Sequence, residues 1–130
     1  VYTQTTHNIK VTVFPVYLEA QSVAEDSHFV WAYTILIENL GNSEVQLISR
    51  HWEITDANGQ VEHVRGLGVV GEQPVIEASK AVQYTSGVHL HTKSGIMRGT
   101  YDMKAEDGSM FTIEIPVFSL DSTEQKMRPN

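Results

Sequence analysis

Apolar and polar residues alternate with a period of two along almost the whole chain, a pattern that suits strands with one buried face and little else. Phe29, Trp31, Tyr33, Ile35 and Ile37 occupy every second position, with Val30, Ala32 and Leu36 between them. That run predicts a central strand covered on both faces. Ile9, Val11 and Val13 predict a first strand, after which Val16 and Leu18 take the opposite parity beyond Pro15. A bulge on an edge strand would explain the slip, because proline cannot donate to a ladder. Val45 and Leu47 give way to Ile48, Trp52 and Ile54, a second slip of the same kind. Val82, Tyr84, Val88 and Leu90 predict a strand pair or one strand bent near Gly87. Met97, Tyr101 and Met103 predict a strand that pairs with Phe111, Ile113, Ile115 and Val117 across the Glu106-Asp107-Gly108 turn. No stretch carries the 3.6-residue apolar stripe of a helix.

Turn residues punctuate these runs about every ten positions. Asn39-Leu40-Gly41-Asn42 is one such cluster and Asp56-Ala57-Asn58-Gly59 another. Asn-Gly predicts a tight hairpin whose returning arm is Gln60 to Arg65. Seven or eight short antiparallel strands so spaced predict an all-β, fibronectin-III- or immunoglobulin-like β-sandwich. A chain of 130 residues sustains one such core. The expected domain spans 7–120, between a flexible tail at 1–6 and a polar tail at 121–130. Trp31, Trp52 and Tyr84 fall on the core parity.

Composition narrows the chemistry. With no cysteine there is no disulfide framework, thiolate metal site or cysteine nucleophile. Nine lysines and arginines against sixteen acids, for a net charge of −7, argue against nucleic acid as a partner, because that affinity comes from neutralising phosphates. No apolar run reaches the roughly 18–20 residues of a membrane span, and the N-terminus lacks a basic-then-apolar leader pattern. A cytoplasmic protein without a membrane span is expected. The GxSxG elbow, the HExxH helix and the P-loop lysine are all missing, so no catalytic residue is assigned and a non-enzymatic role is expected.

Two short motifs remain. Gly66-Leu67-Gly68-Val69-Val70-Gly71 matches the GxGxxG pattern of dinucleotide folds, but Glu72-Gln73-Pro74 follows it instead of a helix, so the dinucleotide reading fails on context. The loop is either a crossover that needs glycine for its backbone or a nest of N–H groups for a phosphate or other anion. In the second case Gly66, Gly68 and Gly71 form the cradle, with Arg65 as the assisting charge and a pyrophosphate-containing nucleotide as the ligand. His89-Leu90-His91 would put two imidazoles on one side of a strand with Leu90 in the core. His89 and His91 are therefore candidate metal ligands, with His51 and Glu62-His63 as the recruits that could complete a set. The alternative is two solvated histidines.

The spaced blocks, taken in order, resemble the ApaG family from about Ile9 to Leu120. They are Val16-Tyr17-Leu18-Glu19-Ala20-Gln21-Ser22, Trp31-Ala32-Tyr33-Thr34, Arg50-His51-Trp52-Glu53-Ile54-Thr55-Asp56, the Gly66 to Pro74 loop, Tyr84-Thr85-Ser86-Gly87, Met97-Arg98-Gly99-Thr100-Tyr101-Asp102-Met103, and Phe111 with Ile115-Pro116-Val117-Phe118-Ser119-Leu120. Ala78-Ser79 stands where such proteins often place Pro-Gly, Val88 where a cysteine is common, and the His89/His91 pair is outside the pattern. The resemblance implies a fibronectin-III-like sandwich and an association with cobalt and magnesium tolerance or efflux, which makes Co²⁺ and Mg²⁺ the cofactors to consider. It also implies a protein-recognition role, since the domain looks like one found in certain eukaryotic F-box and polymerase-interacting proteins. A protein partner is expected.

Overall fold

The alternation becomes strands almost everywhere it was found. The computed structural model describes residues 1–122 and holds nine strands over that span: β1 (Tyr2–Thr6), β2 (Ile9–Tyr17), β3 (Phe29–Asn39), β4 (Val45–Asp56), β5 (Val61–Leu67), β6 (Val75–Ile76), β7 (Ala81–Leu90), β8 (Ser94–Ala105) and β9 (Met110–Asp121). They form two antiparallel sheets, β1-β2-β3-β7 and β5-β4-β8-β9, with the short β6 pairing with β4. Two 3₁₀ turns, Glu19–Gln21 and Ala24–Asp26, join β2 to β3.

The sheets meet through the inward residues of each strand. Trp31, Ile35 and Ile37 of β3 are buried against Leu47, Tyr101, Ile113 and Phe118 from the second sheet. Tyr33 and Trp52 meet edge to face across the sandwich with ring centroids 5.4 Å apart. Each such side chain contributes about 1.5–3 kcal/mol by leaving water, which is what fixes strand register here.

The parity slip in β4 is a bulge between Leu47 and Ser49 in its pairing with β8. It turns Arg50, Trp52 and Ile54 toward the other sheet. The slip at Pro15 is not a bulge. β2 pairs with β3 in unbroken register from Ile9 to Tyr17 and lies inside its sheet. Pro15 is tolerated because β1 pairs with β2 only as far as Val13. A bulge that was not anticipated sits in β9, where the register with β8 shifts between Ile115 and Phe118. It leaves Val117 exposed and puts Phe118 and Leu120 in the core. β3 is central, but its outer face is only half-buried, and no second layer covers it among the described residues. β7 is one strand running straight through Gly87.

The tail expected at 1–6 is β1. The Tyr2 hydroxyl and Ser119 Oγ are hydrogen-bonded at 2.9 Å, the Tyr2 ring packs 6.0 Å from Phe118, and the Glu114 N–H donates to Thr6 Oγ1 at 3.3 Å. These polar residues order because they pair with β2 and cover the edge of β9. At the other end Asp121 closes β9, and the buried Ser122 donates from Oγ to the Lys93 carbonyl at 2.7 Å. The rest of the expected C-terminal tail lies outside the described residues.

Candidate functional site

On the flank opposite β1 and β9, the edge strands β5 and β7 leave an open trough between the two sheets. Alternation decides what lines it. β4 turns Trp52 and Ile54 inward as the floor, β5 contributes Glu62 and Val64, and β7 contributes Tyr84, Ser86 and Val88. The trough holds two cavities, one of about 590 Å³ beside Asp56, Glu62 and His89 and one of about 300 Å³ beside Arg50, Tyr84 and Ser86.

The glycine-rich segment roofs the smaller cavity. Gly66 is the penultimate residue of β5 and lies opposite Arg50. A Cβ there would stand 2.9 Å from Arg50 Nη1 and 3.0 Å from Nη2, so the guanidinium lies against the bare backbone of the glycine. Nη1 donates to the carbonyls of Leu67 at 3.1 Å and Gly68 at 2.9 Å. The Gly68 N–H donates to the Ile48 carbonyl, the Val69 N–H to the Glu72 carbonyl and the Glu72 N–H to the Val69 carbonyl, at 2.8, 2.8 and 3.0 Å. The loop is therefore a tight hairpin with Val70 and Gly71 at its tip, both at positive φ, 48° and 80°. The Gly68 N–H is engaged by β4 and the Val69 N–H by the hairpin, so these two do not converge on an anion, which favours the crossover reading of the motif. Arg65 stands opposite His51 on the outer face of the sheet; the cation at the loop is Arg50. Val70 is a β-branched residue in the left-handed region, where strain costs about 1–3 kcal/mol, and it is 64% exposed.

Three tyrosines surround Arg50. The Tyr84 and Tyr101 hydroxyls are hydrogen-bonded to each other. Burial raises the Tyr84 phenol, against a lowering bond from Tyr101, and it raises Tyr101 well above the ordinary range, helped by the nearby Tyr84. Burial also raises Tyr33, against smaller lowering effects from Ser86 and Arg50. All three are neutral hydroxyls at physiological pH. The cleft thus offers hydrogen-bonding groups, apolar walls and one fixed positive charge, and among the described residues no histidine or carboxylate lines it.

The histidine pair lies toward the other end of the trough. Leu90 is buried as expected, and the His89 and His91 rings meet edge to face with centroids 4.6 Å apart. The third imidazole is His28, 4.1 Å from His89 by centroid, and not either of the anticipated recruits. His51 and His63 instead pair with each other, Nε2 to Nδ1 at 2.9 Å, in the second sheet. Slight burial, then His28 and His91, hold the His89 imidazole below its usual range. His91 Nδ1 is 3.2 Å from the Ser27 carbonyl. Among the described residues no group of three or more His, Asp and Glu side chains is arranged to hold one metal ion.

The ApaG domain model matches residues 19–105, which spans β3 to β8 and both ends of the trough. The chain belongs to the ApaG family. It is 59% identical over 129 residues to Protein ApaG of Paramagnetospirillum magneticum and 54% identical over 129 residues to Protein ApaG of Brucella canis, covering 99% of both chains in each case. A crystal structure described as the ApaA protein of Bordetella pertussis superposes with a TM-score of 0.88 at 42% identity, covering 92% of this chain and 98% of that one. Ser79, where the resemblance implies a glycine, adopts φ of 66°, the left-handed conformation that a glycine would enter freely. Among the described residues no helix is long and apolar enough to cross a membrane.

Sequence reasoning missed Arg50 and His28. Arg50 stood in the Arg50-His51-Trp52 block, but only the bulge at Leu47/Ser49 turns it inward. His28 had no local signal at all.

Proposed function

We propose that this ApaG domain is a non-enzymatic binding module, an adaptor that takes an extended segment of a partner protein as an added strand along β7. The observation that carries this reading is the edge itself. β7 is ten residues long, Ala81–Leu90, with β3 as its sheet neighbour. Its sequence, AVQYTSGVHL, contains no lysine, acid or proline, and its register has no bulge. Natural edge strands of this length are normally protected by one of those devices. β5, across the trough, is protected by Glu62, His63 and Arg65. A bare edge beside a trough with apolar walls is the arrangement used in strand addition, where main-chain bonds supply affinity and alternate side chains enter a groove. On this reading the association of the family with cobalt and magnesium tolerance runs through the partner that the domain recruits.

Panning a library of unstructured peptides against the full chain, followed by hydrogen exchange on the complexes, tests the proposal. Bound peptides should protect β7 amides, and a Gln83→Lys/Gly87→Lys variant should lose at least tenfold in affinity with an unchanged denaturation midpoint. Footprints confined to the outer sheet faces would overturn it, as would turnover of a phosphate ester that one substitution abolishes.

A further inference from the structure

Arg50 is a half-buried cation in a chain with sixteen acids and nine basic residues. Its hydrogen bonds are the two from Nη1 to the Leu67 and Gly68 carbonyls, and among the described residues no carboxylate lies within ion-pair distance of it. The charged neighbours expected of such a group are replaced by the neutral hydroxyls of Tyr33, Tyr84 and Tyr101. Removing a guanidinium from water without a counter-charge is costly, and the cost is recovered when a carboxylate meets the planar fork with two parallel bonds. Two further features prepare the group for that. The loop carbonyls hold Nη1 in one place, so little side-chain entropy remains to be lost on binding. Nη2 and Nε have no hydrogen-bond partner among the described residues. The cleft of about 300 Å³ beside it has apolar walls from Trp52, Leu67, Val69 and Val70.

From this we infer that Arg50 is the recognition residue for a carboxylate on the bound segment, seated in the cleft under the Val69 to Glu72 hairpin. The inference rests on the reading of β7 as a docking edge, because it supplies the charged anchor for a segment lying along that strand. The same hairpin comes down beside Tyr84, Thr85 and Ser86, midway along β7. A strand running from the Leu90 end meets the loop there, which suits a carboxylate at the chain's end as well as one on an aspartate. Holding the loop in place is the other duty Arg50 performs, and the test must separate the two.

Three peptides do so when titrated into the isotopically labelled full chain and followed by amide shifts: acetyl-Val-Thr-Val-Leu with a free C-terminus, the same peptide as its amide, and acetyl-Val-Thr-Val-Asp amide. At least one carboxylate-bearing peptide should bind tenfold or more tightly than the neutral amide and shift Gly68 to Gly71 and Thr85 to Ser86. Whether the free acid or the aspartate peptide does so assigns the carboxylate to a chain terminus or a side chain. Arg50→Gln should abolish the preference, so that the three peptides bind that variant alike. The comparison among peptides on the unaltered protein stands even if that variant loosens the loop. Equal binding of all three along β7 overturns the carboxylate site and leaves the docking edge intact. Carboxylate-dependent shifts at Gly68 to Gly71 without any in β7 overturn the docking edge and leave the site. No binding by any of the three overturns both.

Discussion

Along one flank of the sandwich, β1 lies over the edge of β9, and its side chains supply hydrogen-bond acceptors to that edge: Tyr2 to the Ser119 N–H and Thr6 to the Glu114 N–H. Along the other flank, β7 runs ten residues without such a cover among the described residues, and the facing edge carries charges. Both flanks begin from the same problem, a row of sheet-edge groups beside an apolar interior. The first closes it with five residues of otherwise polar chain. The second leaves it open, places the glycine hairpin and Arg50 at one end, and tolerates a strained Val70 at an exposed tip. The difference teaches that the open flank is not the unfinished side of the fold. A β-branched residue at positive φ, a cation with no carboxylate within ion-pair distance among the described residues, and an edge strand free of charges sit together on this flank, a clustering that supports the proposed function. Positive φ alone does not mark it, since His7 and Asn8 adopt it in the β1–β2 turn.

Deleting residues 1–6 is the sharpest way to break the comparison. If β1 closes its flank as described, the deletion uncovers Phe118 and the β9 edge and should cost on the order of 3 kcal/mol in urea denaturation. A change under about 0.5 kcal/mol would mean that the segment is a tail after all, and that both flanks are open.

Gly68→Ala probes the other flank. At φ of 63°, a Cβ on Gly68 runs into the Glu72 carbonyl, and the loop should lose about 2 kcal/mol or rearrange. Gly71→Ala is its partner measurement. Gly71 also has positive φ, but open space surrounds it, so only the backbone cost of about 1 kcal/mol is expected. Equal costs at the two positions would show that the hairpin does not pack back on itself.

The smallest effect is electrostatic. Burial raises the phenols of Tyr33, Tyr84 and Tyr101 above their unfolded value. Below about pH 10 the phenols are protonated in both states and contribute no pH dependence. As pH rises beyond that, the unfolded chain releases protons that the folded one keeps, so stability falls, by up to about 1.4 kcal/mol per pH unit for each tyrosine. Denaturation midpoints measured between pH 8 and 11 should be flat and then decline, and Tyr84→Phe should make the decline shallower. An unchanged slope in that variant would place Tyr84 in contact with solvent and the cleft wide open.

The sequence by itself determined which segments are strands and which residues face inward along most of them, because side-chain direction in a strand is a local property that repeats every two residues. Phe29 to Ile37, the Asn58-Gly59 hairpin and Leu90 beneath two histidines could all be read that way. The family could be read too, from blocks whose order survives without any knowledge of contacts. Only the tertiary structure decided the rest. Local composition marked Tyr2 to Thr6 as a tail, and it became a strand by pairing with β2 and covering the edge of β9. Arg65 was nearest in sequence to the glycine loop, yet the β4 bulge brought Arg50 there and left Arg65 on the outer face. His28 reached His89 through pairing of β3 with β7, across a separation no spacing rule spans. For Arg50 and His28 the deciding quantity was register between segments distant in the chain, and for β1 it was the distant β9 edge that its hairpin covers; both are set by the packing of the fold and have no local signature.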